Sequence, residues 1–232
     1  MPTFTIFGDS LMKGVALDAA RGKYIQLKNC FVNLFSDANK YDVNNYASFG
    51  CTITKGLSIV DRHLDKIPES DYVIVEFGGN DCNYDWEKVA AAPEADHQPV
   101  TPIDRFQEEY MTLIDKILKR GKTPFLLNLP PLDAGLFFRW IGRGLNMNNI
   151  LAWLGDEDRT RRWHSAYSKA VEMVAAIRDV PLVDIRTPFE SLTEYRSYLC
   201  EDGMHPNEKG HALISETVSS YRATYLQRSG AF

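Results

Sequence analysis

No apolar run in this 232-residue chain approaches the ~20 residues needed to cross a bilayer. The N-terminal stretch Met1-Pro2-Thr3-Phe4 carries no basic region of the kind that opens a secretory signal. These two absences lead us to expect a soluble, cytoplasmic protein without stable membrane insertion. Cysteine is scarce: the four, at 30, 51, 82 and 200, have neither the close pairing of a zinc site nor the density of a disulfide scaffold, so reduced thiols are expected. Positive charge is not in excess, the formal net charge being -5, and no basic stripe is visible, which argues against a nucleic-acid partner. Low-complexity linkers and internal repeats are also missing. With 44% hydrophobic residues, the chain is read as one domain over 1–232 that buries one sizeable core.

What is present is an alternation of short apolar runs with amphipathic stretches, the pattern of a parallel sheet covered by helices. Strands are predicted at Thr3–Phe7, Val43–Ala47, Tyr72–Phe77, Thr123–Asn128 and Pro181–Asp184, and helices over 54–66, 104–120, 162–179 and 208–226. Thr101-Pro102-Ile103-Asp104 reads as a helix start, with a threonine cap, a proline at the first position and a carboxylate in the capping-box place. The expected fold class is α/β, a three-layer α/β/α sandwich on a five-stranded parallel sheet.

Four short segments carry chemistry. Gly8-Asp9-Ser10-Leu11 follows the first predicted strand, a glycine turn lies at Ser48-Phe49-Gly50, Gly78-Gly79-Asn80-Asp81 follows the third strand, and Asp202 stands three residues before His205. A serine hydroxyl is a poor nucleophile unless a base accepts its proton, and an imidazole serves best when a carboxylate sets its tautomer. A helical or 3₁₀-like turn over 202–205 would put Asp202 and His205 on one face, so that only Ser10 has to be brought from afar. Attack on an acyl carbon develops an alkoxide that needs donors already in place, and the backbone N–H groups of Ser10 and Gly50 and the Asn80 amide are suitable. Ser10, Gly50 and Asn80 each follow a strand's C-terminal end, the edge where open α/β sheets place their crevice.

In this order and at these distances, the four segments resemble the diagnostic blocks of the SGNH hydrolases, the GDSL esterases and lipases, from residue 3 to about residue 215. The resemblance implies a flavodoxin-like fold and an ester hydrolase working through an acyl-serine intermediate. In it Ser10 is nucleophile, His205 base and Asp202 its orienting acid, with Ser10, Gly50 and Asn80 as the oxyanion hole. No catalytic position departs from the pattern. The resemblance implies a small-molecule ester as partner and no cofactor.

Other residues have plainer roles. Asp9 is expected to hold its loop by bonding the backbone. Cys51 and Cys82 flank the motif residues without an assigned role, and His63, His97 and His164 are read as surface or partly buried. His211 faces away from Asp202 and His205 if a helix starts near Asn207, and no metal site is expected. Gly210 permits close packing of the last helix. Two insertions bear on the substrate. Asp81–Val100 carries Tyr84 and Trp86 among carboxylates, suited to a sugar ring or simply to packing the loop. The segment 133–158 holds Phe137, Phe138, Trp140, Ile141, Ile150, Leu151, Trp153 and Leu154, with Asn146–Asn149 as the turn between two short helices. Lid, acyl-binding wall, subunit contact of a homo-oligomer, or core are all open to it. Tyr84, Trp86, Trp140 and Trp153 are thus candidate substrate contacts. The acidic charge and the Tyr84/Trp86 loop favour a small acyl or carbohydrate ester, while the 133–158 segment favours a longer acyl ester or thioester. A non-catalytic glycan- or lipid-binding domain is the reading from another class.

Overall fold

Tyr72-Val73-Ile74-Val75-Glu76 is apolar on both faces, which only a strand covered by helices on both sides can satisfy. In the computed structural model, which describes residues 1–229, this run is the central strand of the sheet.

The chain opens with β1 (Thr3–Gly8), the short helix α1 (Ser10–Lys13) and the hairpin β2 (Val15–Asp18) and β3 (Lys23–Gln26). Helix α2 (Phe31–Asn39), strand β4 (Asp42–Asn45), helix α3 (Ile53–Arg62) and strand β5 (Tyr72–Glu76) follow. The second half holds α4 (Trp86–Ala91), α5 (Ile103–Leu118), β6 (Pro124–Leu127), α6 (Ala134–Ile141), α7 (Met147–Leu154) and α8 (Arg159–Arg178). It ends with β7 (Leu182–Val183), α9 (Arg186–Glu190), a 3₁₀ turn at Tyr195–Tyr198 and α10 (Glu208–Ser229).

The main sheet has the order β4-β1-β5-β6-β7 with every pair parallel. Counted along the chain this is second, first, third, fourth, fifth, the flavodoxin-like order, and its switch point lies between β1 and β5. Alternation along the strands separates two cores. Phe7, Val73, Val75 and Leu126 face Phe106, Tyr110, Leu113 and Val171 of α5 and α8. On the other side Phe4, Ile6, Ile74, Leu127 and Val183 meet Phe31, Phe35, Ile214 and Val218 of α2 and α10. Helix, sheet and helix make the three expected layers.

Several expectations are corrected in detail. Strand β7 is only Leu182–Val183, because the Asp184 carboxylate turns the chain by accepting from the Arg186 and Thr187 N–H groups. β4 is Asp42–Asn45 and does not reach Ala47, whose N–H bonds the Asn45 side chain. Thr101 does not cap α5: Pro102 holds that place without a side-chain bond, and the buried Thr101 hydroxyl serves Asp81 instead. Asn146 caps α7 by accepting from the Asn148 and Asn149 N–H groups, so the turn lies before Met147. Gly210 is as expected, since a Cβ there would sit 2.4 Å from the Tyr198 carbonyl oxygen. The β2–β3 hairpin and α2 were absent from the predicted elements. Among the described residues no helix is long and apolar enough to cross a membrane.

Candidate active site

The register of the sheet puts Gly8 beside Glu76, so Asp9-Ser10 leaves β1 next to the segment that leaves β5 toward Asn80. Asp9 caps the one-turn helix α1, its Oδ1 accepting from the Leu11 N–H at 2.9 Å, which is the loop-holding role expected of it. Ser10 Oγ lies 2.9 Å from His205 Nε2, and His205 Nδ1 lies 2.7 Å from Asp202 Oδ2. Asp202 Oδ1 also accepts from the N–H groups of Met204 and His205, both at 3.0 Å. The loop is not a helix. It is closed by its own backbone, with Cys200 N–H to His205 O at 2.8 Å and a bridge pairing Leu199 with Pro206. Burial opposes the Asp202 charge, but the His205 side chain and these N–H groups together hold its carboxyl below the ordinary range. The carboxylate fixes the tautomer: Nδ1 donates to Asp202, which leaves the Nε2 lone pair for the Ser10 hydroxyl.

The three expected oxyanion donors gather at the same edge. Gly50 has φ +66° in the turn closed by Cys51 N–H to Ser48 O at 3.2 Å, a conformation that favours glycine. Neither the Ser10 nor the Gly50 N–H meets a protein acceptor among the described residues. Asn80 Nδ2 donates to Asp9 Oδ2 at 2.9 Å and to Cys51 O at 3.2 Å, so both of its hydrogens are directed at the rim of the serine loop.

Beneath this edge lie three buried carboxyl groups that sequence reasoning did not connect. Glu76 is 1% exposed and lies against Asp9. Burial raises both carboxyls: Glu76 goes well above the ordinary range, with the charge of Asp9 adding to the rise, while Leu11 N–H, Glu76 and the Asn80 amide offset part of the rise on Asp9. Asp81 accepts from Ile53 N–H at 3.0 Å at the start of α3, and burial pushes its carboxyl up to about 7. The same surroundings keep the nearby thiols protonated: burial, with Asp9 and Asp81 adding to it, pushes Cys51 up to about 11, and burial raises Cys82 as well.

A cleft of about 230 Å³ opens over Ser10. Its apolar wall includes Leu129, Pro130, Leu132, Phe137 and Leu154, and Tyr84 and Trp86 also line it. Trp140 and Trp153 stand one ring behind. Trp140 packs 6.0 Å from Tyr24, and Trp153 packs 4.9 Å from Tyr84. In the 133–158 segment Phe138, Ile150 and Leu154 are buried against Tyr84, Val89 and Ala90, so the hairpin is at once core and cleft wall. Two residues were missed. Tyr24 of β3 lies 5.0 Å from the His205 ring, and Phe49, 55% exposed, stacks 6.5 Å from it. Tyr24 belongs to the overlooked hairpin; the signal for Phe49 was its place beside Gly50. His164, read as surface or partly buried, is buried and lines the cleft, and burial, with the Arg186 charge, pushes its imidazole down to about 3. His211 faces α2, its Nδ1 accepting from the Phe31 N–H at 3.3 Å, and burial, with the His205 charge adding to it, pushes its imidazole down to about 4.

Comparison with known proteins bears on the fold and the family. No curated protein sequence matches the chain. Among solved structures, a lipase/acylhydrolase from Enterococcus faecalis is 20% identical, with 95% of each chain covered and a TM-score of 0.68. An acetylxylan esterase from Geobacillus stearothermophilus is 17% identical (94% of this chain, 93% of that one, TM-score 0.64). A psychrotrophic esterase from Pseudoalteromonas is 18% identical (98% and 100%, TM-score 0.60). At these identities the structures share the fold. The model of the GDSL-like lipase/acylhydrolase family matches residues 6–213, a span that begins before the serine loop and closes beyond the aspartate–histidine loop, and the chain therefore belongs to that family of carboxylic ester hydrolases.

Proposed function

We propose that Ser10, His205 and Asp202 form the catalytic triad of an esterase that works on small acyl esters through an acyl-serine intermediate. The observation that carries this is the continuous relay from Ser10 Oγ to His205 Nε2 at 2.9 Å and from His205 Nδ1 to Asp202 at 2.7 Å, at the switch-point edge of the sheet. His205 takes the Ser10 proton as Oγ bonds the acyl carbon, and Asp202 steadies the imidazolium. The carbonyl oxygen becomes an oxyanion received by the Ser10 and Gly50 N–H groups and by Asn80, whose longer bond to Cys51 O is the one to yield. His205 then protonates the departing alcohol. Water, deprotonated by the same imidazole, attacks the acyl-serine and releases the acid and free Ser10.

Cleft size favours a small substrate: about 230 Å³ lies below the ~300–1,000 Å³ usual for drug-sized ligands. Tyr84 and Trp86 in its wall suit the face of a sugar, and the fold is shared with an acetylxylan esterase. The four cysteines are unpaired, which supports the cytoplasmic location expected from the sequence. A series of nitrophenyl esters of rising chain length, run beside acetylated sugars, tests the substrate class. Maximal kcat/KM between acetate and butyrate is expected, and a maximum at decanoate or beyond would turn the assignment to a lipase or thioesterase. Failure of a phosphonate probe to label Ser10 would leave the non-catalytic reading.

A further inference from the structure

Part of the cleft is not used by the proposed mechanism. On the first turns of α8, Arg159, Thr160, Trp163 and His164 share one face and all line the cleft. Tyr84 faces them, its ring edge-on to Trp163 at 4.7 Å. Tyr84 is 6% exposed and His164 8%, yet neither the Tyr84 hydroxyl nor His164 Nδ1 has a hydrogen-bond partner among the described residues. Buried polar atoms rarely stay unpaired, because each has given up its bond to water. Two of them in one cleft mark where the polar atoms of a ligand belong.

Charge points to the kind of ligand. Arg161 and Arg162 are held by Asp158 and Asp156, but among the described residues no carboxylate lies within ion-pair distance of Arg159. The Arg159 guanidinium donates only to the Trp153 and Leu154 carbonyls at the end of α7, and it sits over the Trp153 and Trp163 rings at 5.2 and 5.7 Å. A guanidinium stacked on indoles and short of a counter-ion, a phenol that can donate and a neutral imidazole taken with its proton on the unpaired Nδ1 are together answered by one group that only accepts, through two oxygens. A sugar hydroxyl would leave the charge unanswered, and a phosphate would ask for more than one cation.

We propose that Arg159, Tyr84 and His164 form a second recognition site in the substrate cleft, which reads a carboxylate carried by the substrate on the far side of a short apolar span from the scissile ester. This rests on the esterase reading for the reaction, but the site can be tested without it. Free glutarate should raise the melting temperature of Ser10→Ala protein, and Arg159→Met should abolish the rise.

For turnover, nitrophenyl hemiglutarate is compared with nitrophenyl valerate, which places the carboxylate on the acyl side. 4-Acetoxybutyrate is compared with butyl acetate for the alcohol side. The wild type should favour the carboxylated member of one pair at least 10-fold, and the preference should weaken with added salt. Arg159→Met should cut that ratio 10- to 100-fold, Arg159→Lys less, and Arg162→Met, which removes an equal charge outside the cleft, should leave it unchanged. Tyr84→Phe supplies a second check: it should lower the ratio without lowering the melting temperature, since the hydroxyl it removes has no partner in the protein. Equal loss on charged and neutral esters, an unchanged ratio in Arg159→Met, or a destabilised Tyr84→Phe would overturn the proposal. If glutarate binds but neither pair is turned over, the esterase reading fails and the site stands.

Discussion

The serine edge and the helical hairpin that walls the cleft are built on opposite principles. At the edge, Asp9, Ser10, Asn80, Asp202 and His205 are placed by directional bonds of 2.7 to 3.0 Å between short polar side chains and backbone groups. In the wall, α6 and α7 are placed by ring and alkyl packing, with Tyr84 touching Trp86, Trp153 and Trp163 at 5.6, 4.9 and 4.7 Å. Directional bonds tolerate no substitution, whereas packing tolerates replacement of similar volume. Catalysis should therefore fail sharply at the edge, and specificity should drift gradually at the wall.

The sharpest break is at the nucleophile. Ser10→Ala should lower kcat by roughly 10⁴- to 10⁶-fold with the fold intact by circular dichroism. Turnover close to the wild-type rate, or phosphonate labelling of Cys51 or Cys82, would contradict it. Asp202→Asn should cost about 10⁴-fold in kcat by mis-setting the His205 tautomer. Activity insensitive to this change would show that the buried 2.7 Å bond does no catalytic work. Asn80→Ala should reduce kcat by roughly 10²- to 10³-fold with a smaller change in KM. A defect confined to KM would make Asn80 a ground-state contact.

A fourth test reaches the carboxyl groups under the edge. With its carboxyl at about 7 in the folded protein and near the ordinary value when unfolded, Asp81 binds its proton more tightly in the native state. Its contribution to stability is therefore full below the unfolded value and is lost as pH rises through about 7. Asp81→Asn removes that loss, so the melting temperature of the variant relative to wild type should climb from pH 4 to pH 8. The corresponding free energy has a ceiling of about 4 kcal/mol. His164 and His211, pushed down to about 3 and about 4 mainly by burial, act in the opposite sense in both proteins and cancel from the comparison. A pH-independent difference would mean that Asp81 is ordinarily ionised. The smallest effect belongs to the wall. Phe137→Ala should change chain-length preference by about 10-fold, the value of one or two lost methylene contacts, and Trp153→Ala, a ring farther back, by less. A collapse of activity on acetate would show the hairpin to be part of the catalytic frame.

The same contrast explains what could be read in advance. The proposed triad was legible because Asp202 and His205 are close in sequence and Ser10 follows a strand whose apolar run is unmistakable. The three layers were legible because β1, β5 and β6 carry apolar runs bounded by polar segments. Strand β7 was overread, since Pro181–Asp184 has the apolar look of a strand while Asp184 ends it by capping the next turn. Tyr24 was illegible because β2 and β3 pair only with each other, and strands of four residues show too little alternation to stand out. His164 was misjudged because a histidine in an amphipathic helix looks the same whether its face meets solvent or a cleft. The Asp9–Glu76 pair depended on register, which no local pattern specifies.

The loop from Leu199 to Pro206 has one further consequence. Its acid and its base are tied to each other and to the loop's own backbone, whereas Ser10 and Asn80 hang from adjacent strands of the sheet. The site is thus two prefabricated halves meeting at a single hydrogen bond, Ser10 to His205. That joint is the one expected to part first when the molecule loosens, with each half keeping its internal order. Recovery is then a docking of finished pieces, and the imidazole never has to find its carboxylate again.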